Sequence, residues 1–284
     1  MRVWILILAL LLPSLGRTNT VLEVPELYRP LMERLSADGV SSEFLSMLFR
    51  DRRAEAIPKR MAISLDSKEK EEIYLPFLTP ESLQLAKNFL REHLPLLEDT
   101  ESRYRVDKEV IVAILLVESR CGENIGKHRV VPTLASMAIM DNPDNLQRNY
   151  LLLRDLDPEL TFEWVEERAR RRANWAYQEL KSFLTIVGNE KTDPLEIMGS
   201  HAGALGMAQF IPSSYLAFAV SQKGLGHWVS SREEAILSIA NYLNLHGWKK
   251  GITLEKKRKV LWCYNRSEPY ITTVLKVADR IKKK

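Results

Sequence analysis

At 284 residues and 45% hydrophobic composition, the chain can bury one large core or two smaller ones, which excludes disorder as its main character. Its 41 basic and 37 acidic residues leave a formal net charge of +4, too weak and too mixed to argue for nucleic-acid or membrane-surface binding. A small positive surplus suits an anionic polymer, but many soluble proteins share it.

The chain opens as a signal peptide does. Met1-Arg2 is a short basic start, Val3–Leu12 an apolar run, and Ser14-Leu15-Gly16 supplies small residues at the cleavage positions, so residues 1–16 are expected to be removed on export. The run is short for a bilayer span and no cysteine stands there to take lipid, so no stable membrane insertion is expected. An uncleaved N-terminal anchor is the alternative, and an intact Met1 on the exported protein would establish it. Residues 24–35 and 41–49 then read as short amphipathic helices separated by Ala37-Asp38-Gly39. An extended connection follows over 58–66. Thr79 before Pro80 reads as a cap, opening a helix with Leu83, Ala86, Phe89 and Leu90 on one face, which Pro95 is expected to end.

Asp107 is the expected N-cap of the stretch VIVAILLVESRCG, Val110–Gly122. Eight of the nine residues from Val110 to Glu118 are apolar, and the ninth is a glutamate. Burial disfavours the ionised form of a carboxyl, which suits a proton donor. Glu118 is therefore a candidate for chemistry, against the alternative that it is the first exposed residue after a core helix. Further helices are expected over 132–140, within 143–160 and, as one long element, over 161–187, where Trp164, Ala169, Trp175, Leu180 and Leu184 keep helical spacing. Residues 199–215, GSHAGALGMAQFIPSSY, are small and glycine-bearing, so backbone or ligand can approach closely, with the amide of Gln209 at hand. A tight helix crossing would show the same residues. Helices are expected over 230–247, over 254–264 and from about Glu268 to the lysine tail. No run of alternating strands is present, so the class is mainly α with at most a small β element.

Four motifs in order now carry a resemblance: Glu118-Ser119-Arg120 with Gly122; the 199–215 stretch; Ala240-Asn241-Tyr242 with His246-Gly247-Trp248; and Tyr264-Asn265-Arg266-Ser267-Glu268-Pro269-Tyr270. Together they resemble the lytic transglycosylase B family of murein-cleaving enzymes, over nearly the whole mature chain. The resemblance implies a lysozyme-like helical core over 106–284, preceded by an N-terminal helical subdomain over 17–105. It also implies cleavage of the β-1,4 bond between N-acetylmuramic acid and N-acetylglucosamine, without cofactor. Glu118 matches the family's single catalytic acid, which protonates the glycosidic oxygen and then takes the proton of the muramoyl C6 hydroxyl, leaving a 1,6-anhydro sugar. Most glycoside hydrolases need two carboxylates; one suffices when the substrate supplies its own nucleophile. By the same matching, Ser200, Gln209, Tyr242, Tyr264, Asn265 and Tyr270 are expected to bind substrate, with Ser200 bonded to Glu118. Arg171 and Arg172 with Trp175 resemble a family patch facing the peptide-bearing part of murein, although a solvated helix face would look alike.

The departures from the family are local. Residues 221–228, SQKGLGHW, lack the aspartates of the family's calcium loop, so no metal site is expected. Arg266 stands where histidine is usual, His201 where an aromatic is usual and Ala208 where glycine is usual. Residues 141–165 exceed the family's usual connection and suggest an extra wall or lid. Cys121 and Cys263 both flank the expected site, which in an exported protein suggests a disulfide between them, against two free thiols. The partner expected is the peptidoglycan glycan strand; protein partners are not legible. A hydrolytic muramidase and a murein-binding scaffold are the alternatives, and nucleic-acid or membrane binding through Arg168–Arg172 is disfavoured by the nearby acids.

Overall fold

A computed structural model describes residues 24–64, 70–190 and 192–282, and the signal segment lies outside them. Helices α1 (Arg29–Ala37) and α2 (Ser42–Arg50) meet at the expected turn, with Ser41 capping α2 through the Phe44 amide. A 3-10 turn, Pro58–Met61, occurs where an extended connection was expected. After a second 3-10 segment over Glu71–Leu78, Thr79 caps α3 (Pro80–Glu92). Pro95 ends nothing: it lies in the first turn of α4 (Leu94–Tyr104), where its missing N–H would have no partner anyway.

The apolar run forms α5 (Lys108–Ser119), with every residue from Val110 to Leu116 buried. A helix that is apolar all round must be surrounded, and each of its valine, isoleucine and leucine side chains contributes roughly 1.5–3 kcal/mol when fully enclosed. Helices α3, α4 and, from the far end of the chain, α11 (Arg232–Leu245) and α13 (Glu268–Lys282) supply the walls; the helices between them in sequence run from α6 (Val130–Ala138) to α10 (Leu225–Trp228). Asp107 begins α5 without a side-chain cap bond. Its carboxylate instead accepts from Trp248 Nε1 at 3.1 Å and Lys257 Nζ at 3.3 Å, tying the helix start to α12 (Leu254–Tyr264) and the loop before it.

A second layer is built on α8 (Phe162–Gly188), capped by Thr161, against which α6, α7 (Pro143–Arg154) and α9 (Pro212–Phe218) pack. Its buried face runs through Val165, Ala169, Ala173, Tyr177, Leu180 and Leu184, while Trp164 and Trp175 stay half-buried. Within the 141–165 connection, α7 carries the buried Asn145 and Asn149, which hold the backbone of residues 61–63. The sheet is minimal: β1 (His128–Arg129) pairs antiparallel with β2 (Met198–Gly199), His128 opposite Gly199. Amides in the 221–228 loop are met by carboxylates from outside it, Gln222 by Glu234 and Leu225 by Glu190.

Candidate active site

Helix α5 ends on Glu118 and Ser119, and the chain leaves it through left-handed backbone, with φ of 49° at Arg120, 58° at Cys121 and 96° at Gly122. The Arg120 and Cys121 amides turn back to the Leu116 and Leu115 carbonyls, both at 2.9 Å, which closes the helix end. Positive φ is uncommon for non-glycine residues, so two in succession mark an exit held against its own preference. Glu118 is left half-buried, at the edge of the core.

Two loops lie over this helix end. At Gly126 (φ 93°) a Cβ would fall 2.1 Å from the Gly199 carbonyl, so the 124–128 loop can cross the glycine-rich segment only with no side chain there. The Ser200 hydroxyl accepts the amides of Ala202 at 3.2 Å and Ala204 at 3.0 Å, which leaves its O–H as a donor. Gln209, itself at φ 48°, donates Nε2 to the carbonyls of Gly206 at 2.8 Å and Ile125 at 3.3 Å. Its amide oxygen is the group left to take a sugar hydroxyl or acetamido N–H. Glu118, Ser200 and Gln209 line one cleft of about 440 Å³, and among its described lining residues Glu118 is the only acid.

Beneath the carboxyl lies an aromatic stack from α11, α12 and α13. Tyr270, 1% exposed, donates its hydroxyl to Glu118 Oε1 at 2.7 Å. The Tyr264 ring lies nearly parallel to it, 6.4 Å away with 11° between planes, and its hydroxyl donates to the Ala208 carbonyl at 2.6 Å. Burial, with the Glu118 charge adding to it, holds both phenols well above the usual tyrosine range. Both therefore serve only as neutral donors. Tyr242, whose phenol burial pushes up to about 12, stands edge-on to Tyr264 at 4.9 Å and donates to the Cys263 carbonyl at 2.6 Å.

The residues singled out in the sequence thus divide. Glu118, Ser200 and Gln209 share the cleft; Tyr264 and Tyr270 pack under it; Tyr242 is buried behind Tyr264 with its hydroxyl occupied, a prop rather than a surface for sugar. Asn265 follows Tyr264, half-buried, in extended conformation. On α8, Arg171 pairs with Glu167 one turn away, whereas Arg172 acts electrostatically on His201 at the cleft. Trp175 packs half-buried against the core. The pairing of Cys121 with Cys263 is corrected: both are free, Cys121 buried and Cys263 exposed with its thiol donating to the Lys259 carbonyl. Neighbouring the same site in sequence does not turn two side chains toward each other. Asn124, Lys127 and His128 also line the cleft. No sequence motif announced them: His128 arrives through the β1–β2 pairing, and Asn124 and Lys127 lie in the loop between the α5 exit and that strand.

Residues 24–258 match the family model described as a transglycosylase SLT domain. The membrane-bound lytic murein transglycosylase B of Escherichia coli (strain K12) is 35% identical over 178 residues, 62% of this chain and 41% of that protein, so the match spans under half of the relative's length. The soluble lytic transglycosylase SltB1 of Pseudomonas aeruginosa superposes with a TM-score of 0.70 at 24% identity, covering 91% of this chain and 99% of the other. The Escherichia coli lytic transglycosylase Slt35, solved with bulgecin A, gives a TM-score of 0.72 at 22% identity over 93% and 97% of the two chains. At those identities the likeness is one of fold.

Proposed function

The chain belongs to the transglycosylase SLT domain family, and from that membership we propose that it is a murein lytic transglycosylase in which Glu118 is both acid and base. The observation that carries the reading is the lone carboxyl of the cleft. Hydrolysis with retention or inversion calls for two carboxylates, roughly 5–9 Å apart, and the described residues lining this cleft offer one. One is enough if Glu118 protonates the glycosidic oxygen and its carboxylate then accepts the proton of the muramoyl C6 hydroxyl as that oxygen closes on C1. The glycosidic bond breaks, the C6–O–C1 bond forms, and no water is consumed.

The surrounding groups suit those steps. The neutral hydroxyl of Tyr270 holds one carboxyl oxygen in place, and the amide oxygen of Gln209 and the O–H of Ser200, both in the cleft lining, suit a polar, hydroxyl-rich substrate. The substrate class is the peptidoglycan strand. Export to the periplasm, with removal of residues 1–16, is the compartment this substrate and the N-terminal sequence call for.

Digestion of purified murein tests the reading. The wild-type protein is expected to release muropeptides ending in 1,6-anhydromuramic acid, lighter by one water than the reducing ends a muramidase leaves. Glu118→Gln is expected to lower the rate by about 10³-fold, the range of general acid–base catalysis. Reducing ends as the main product would replace this mechanism with hydrolysis.

A further inference from the structure

Helix α7 packs by one face only. Leu146, Asn149 and Leu153, spaced three and four apart, are buried together with Asn145, and the two asparagines bond the Met61 carbonyl and the Ile63 amide, so the helix is fastened to the fold. Its opposite face is bare. Leu151 is 45% exposed and Leu152 62%, and Leu156, in the turn that follows, is at 76% the most exposed large hydrophobic residue among those described. Single apolar residues scattered over a surface need no explanation, but three leucines within six positions form a patch.

The patch is framed by opposite charges. Arg148 and Asp155, both exposed, stand seven positions apart, nearly two full turns, and so share the outer face with the leucines between them. Neither has an oppositely charged partner among the described residues. Arg154 stands apart from this row, over the Tyr150 ring at 5.6 Å. Along the helix the outer face therefore reads basic, apolar, acidic, and that order, inverted, is its own complement. A lipid surface or a polyanion carries one sign of charge and would meet Asp155, Asp157 and Glu159 beside the leucines.

We propose that the outer face of α7 pairs with the same face of a second copy of this chain, antiparallel about a two-fold axis passing between Leu151 and Leu152. In that register Leu151 of each copy lies against the partner's Leu152, and Arg148 lies opposite the partner's Asp155, twice over by symmetry. Asp144, one turn before Arg148, falls beyond the end of the partner's helix. The leucines supply the attraction, and the two ion pairs at the rim fix register and direction. The face is one helix wide and buries less than a standard interface of about 1,600 Å², so the dimer is a weak one, with a dissociation constant on the order of 10–100 µM. The pairing is independent of the chemistry assigned to the cleft.

Sedimentation equilibrium of the full chain from about 1 µM to about 1 mM tests it. Wild-type protein is expected to pass from monomer to dimer across this range, and Leu152→Glu to remain monomeric. Arg148→Asp and Asp155→Arg each set like charges against each other at both rims, and each is expected to weaken the dimer at least tenfold. Mixing these two variants restores both ion pairs, so a heterodimer of wild-type strength is expected. Neither exposed side chain supports the fold, and a substitution that merely disturbed folding would not be rescued by mixing. A wild type that stays monomeric throughout, a dimer indifferent to both charge reversals, or a mixture that fails to associate overturns the proposal. Monomeric wild type that sediments with phosphatidylglycerol vesicles, and loses this with Leu152→Glu, would give the face to a lipid surface and overturn it as well.

Discussion

Tyr270 shows how a residue's part in a site can differ from the part its sequence neighbours suggest. Within the segment Tyr264–Tyr270 it reads as one more aromatic for sugar to lie on, yet it is buried beneath the cleft with its hydroxyl on Glu118. At 1% exposure its ring offers sugar no face, and its hydroxyl is spent on the Glu118 carboxyl. Tyr270→Phe keeps the ring and deletes only the donor. A hydrogen bond to a charged group is worth about 1.5–3 kcal/mol, so kcat on murein is expected to fall roughly 10- to 100-fold. KM is expected to stay near the wild-type value, since no cleft-lining group has changed. Steady-state kinetics on soluble glycan separates the two; a rise in KM with kcat retained would return Tyr270 to the substrate. Glu118 itself was legible because a lone acid ending an apolar helix is a local anomaly. Its hydrogen-bond partner was not, because 152 positions separate the two.

At the level of elements, legibility follows the range over which an element is determined. The apolar run of α5 and the long period of α8 are local and were readable. The caps Thr79, Thr161 and Ser41 were readable too, or marked the boundaries that were. The Pro58–Met61 turn and the β1–β2 pairing were not, because each exists through partners 66 or more positions away: Ser136 and Asn149 for the turn, the 195–199 backbone for β1. The expected disulfide failed for the same reason. The loop crossing at Gly126 is the sharpest case, and it can be tested against a glycine with the same backbone angle. Gly39 has φ 94° and open space, with nothing within 4 Å of where a Cβ would stand, whereas a Cβ at Gly126, φ 93°, meets the Gly199 carbonyl at 2.1 Å. Alanine at either position is expected to cost about 1 kcal/mol through the backbone angle alone. Only Gly126→Ala must also push the two loops of the cleft apart. Gly39→Ala is therefore expected to lower the melting temperature and leave murein cleavage intact, while Gly126→Ala lowers both, cleavage by more than about tenfold for a displacement of this size near the reacting groups.

For the molecule as a whole, the charges set how stability responds to acid, and the response has two stages. His93, His128 and His201 all have pKa values held below the usual histidine range, in each case by burial first, with Arg60 adding to it at His128 and His201. In the unfolded chain these imidazoles take up protons near pH 6.5, while in the fold they do so only at lower pH. Between those values the unfolded chain binds more protons, so stability falls as the pH drops through this window, and above about pH 7 they contribute no slope. The second stage comes from carboxylates shifted the other way. Asp38 is held below the usual range by hydrogen bonds from Lys181 and Tyr177, Asp51 by those of Arg53, and Asp193 by the Leu195 amide. Their contribution is present above the ordinary aspartate value near pH 4 and is lost as the pH falls below it. Melting temperatures measured from pH 8 to pH 3 are expected to stay level to about pH 7, decline once near pH 6 and decline again below pH 4. In His93→Gln the first decline should shrink, because that imidazole, packed on Phe89 at 4.4 Å, no longer has to take a proton inside the core on acidification. A first decline of undiminished size in that variant would assign it to the two cleft histidines, His128 and His201.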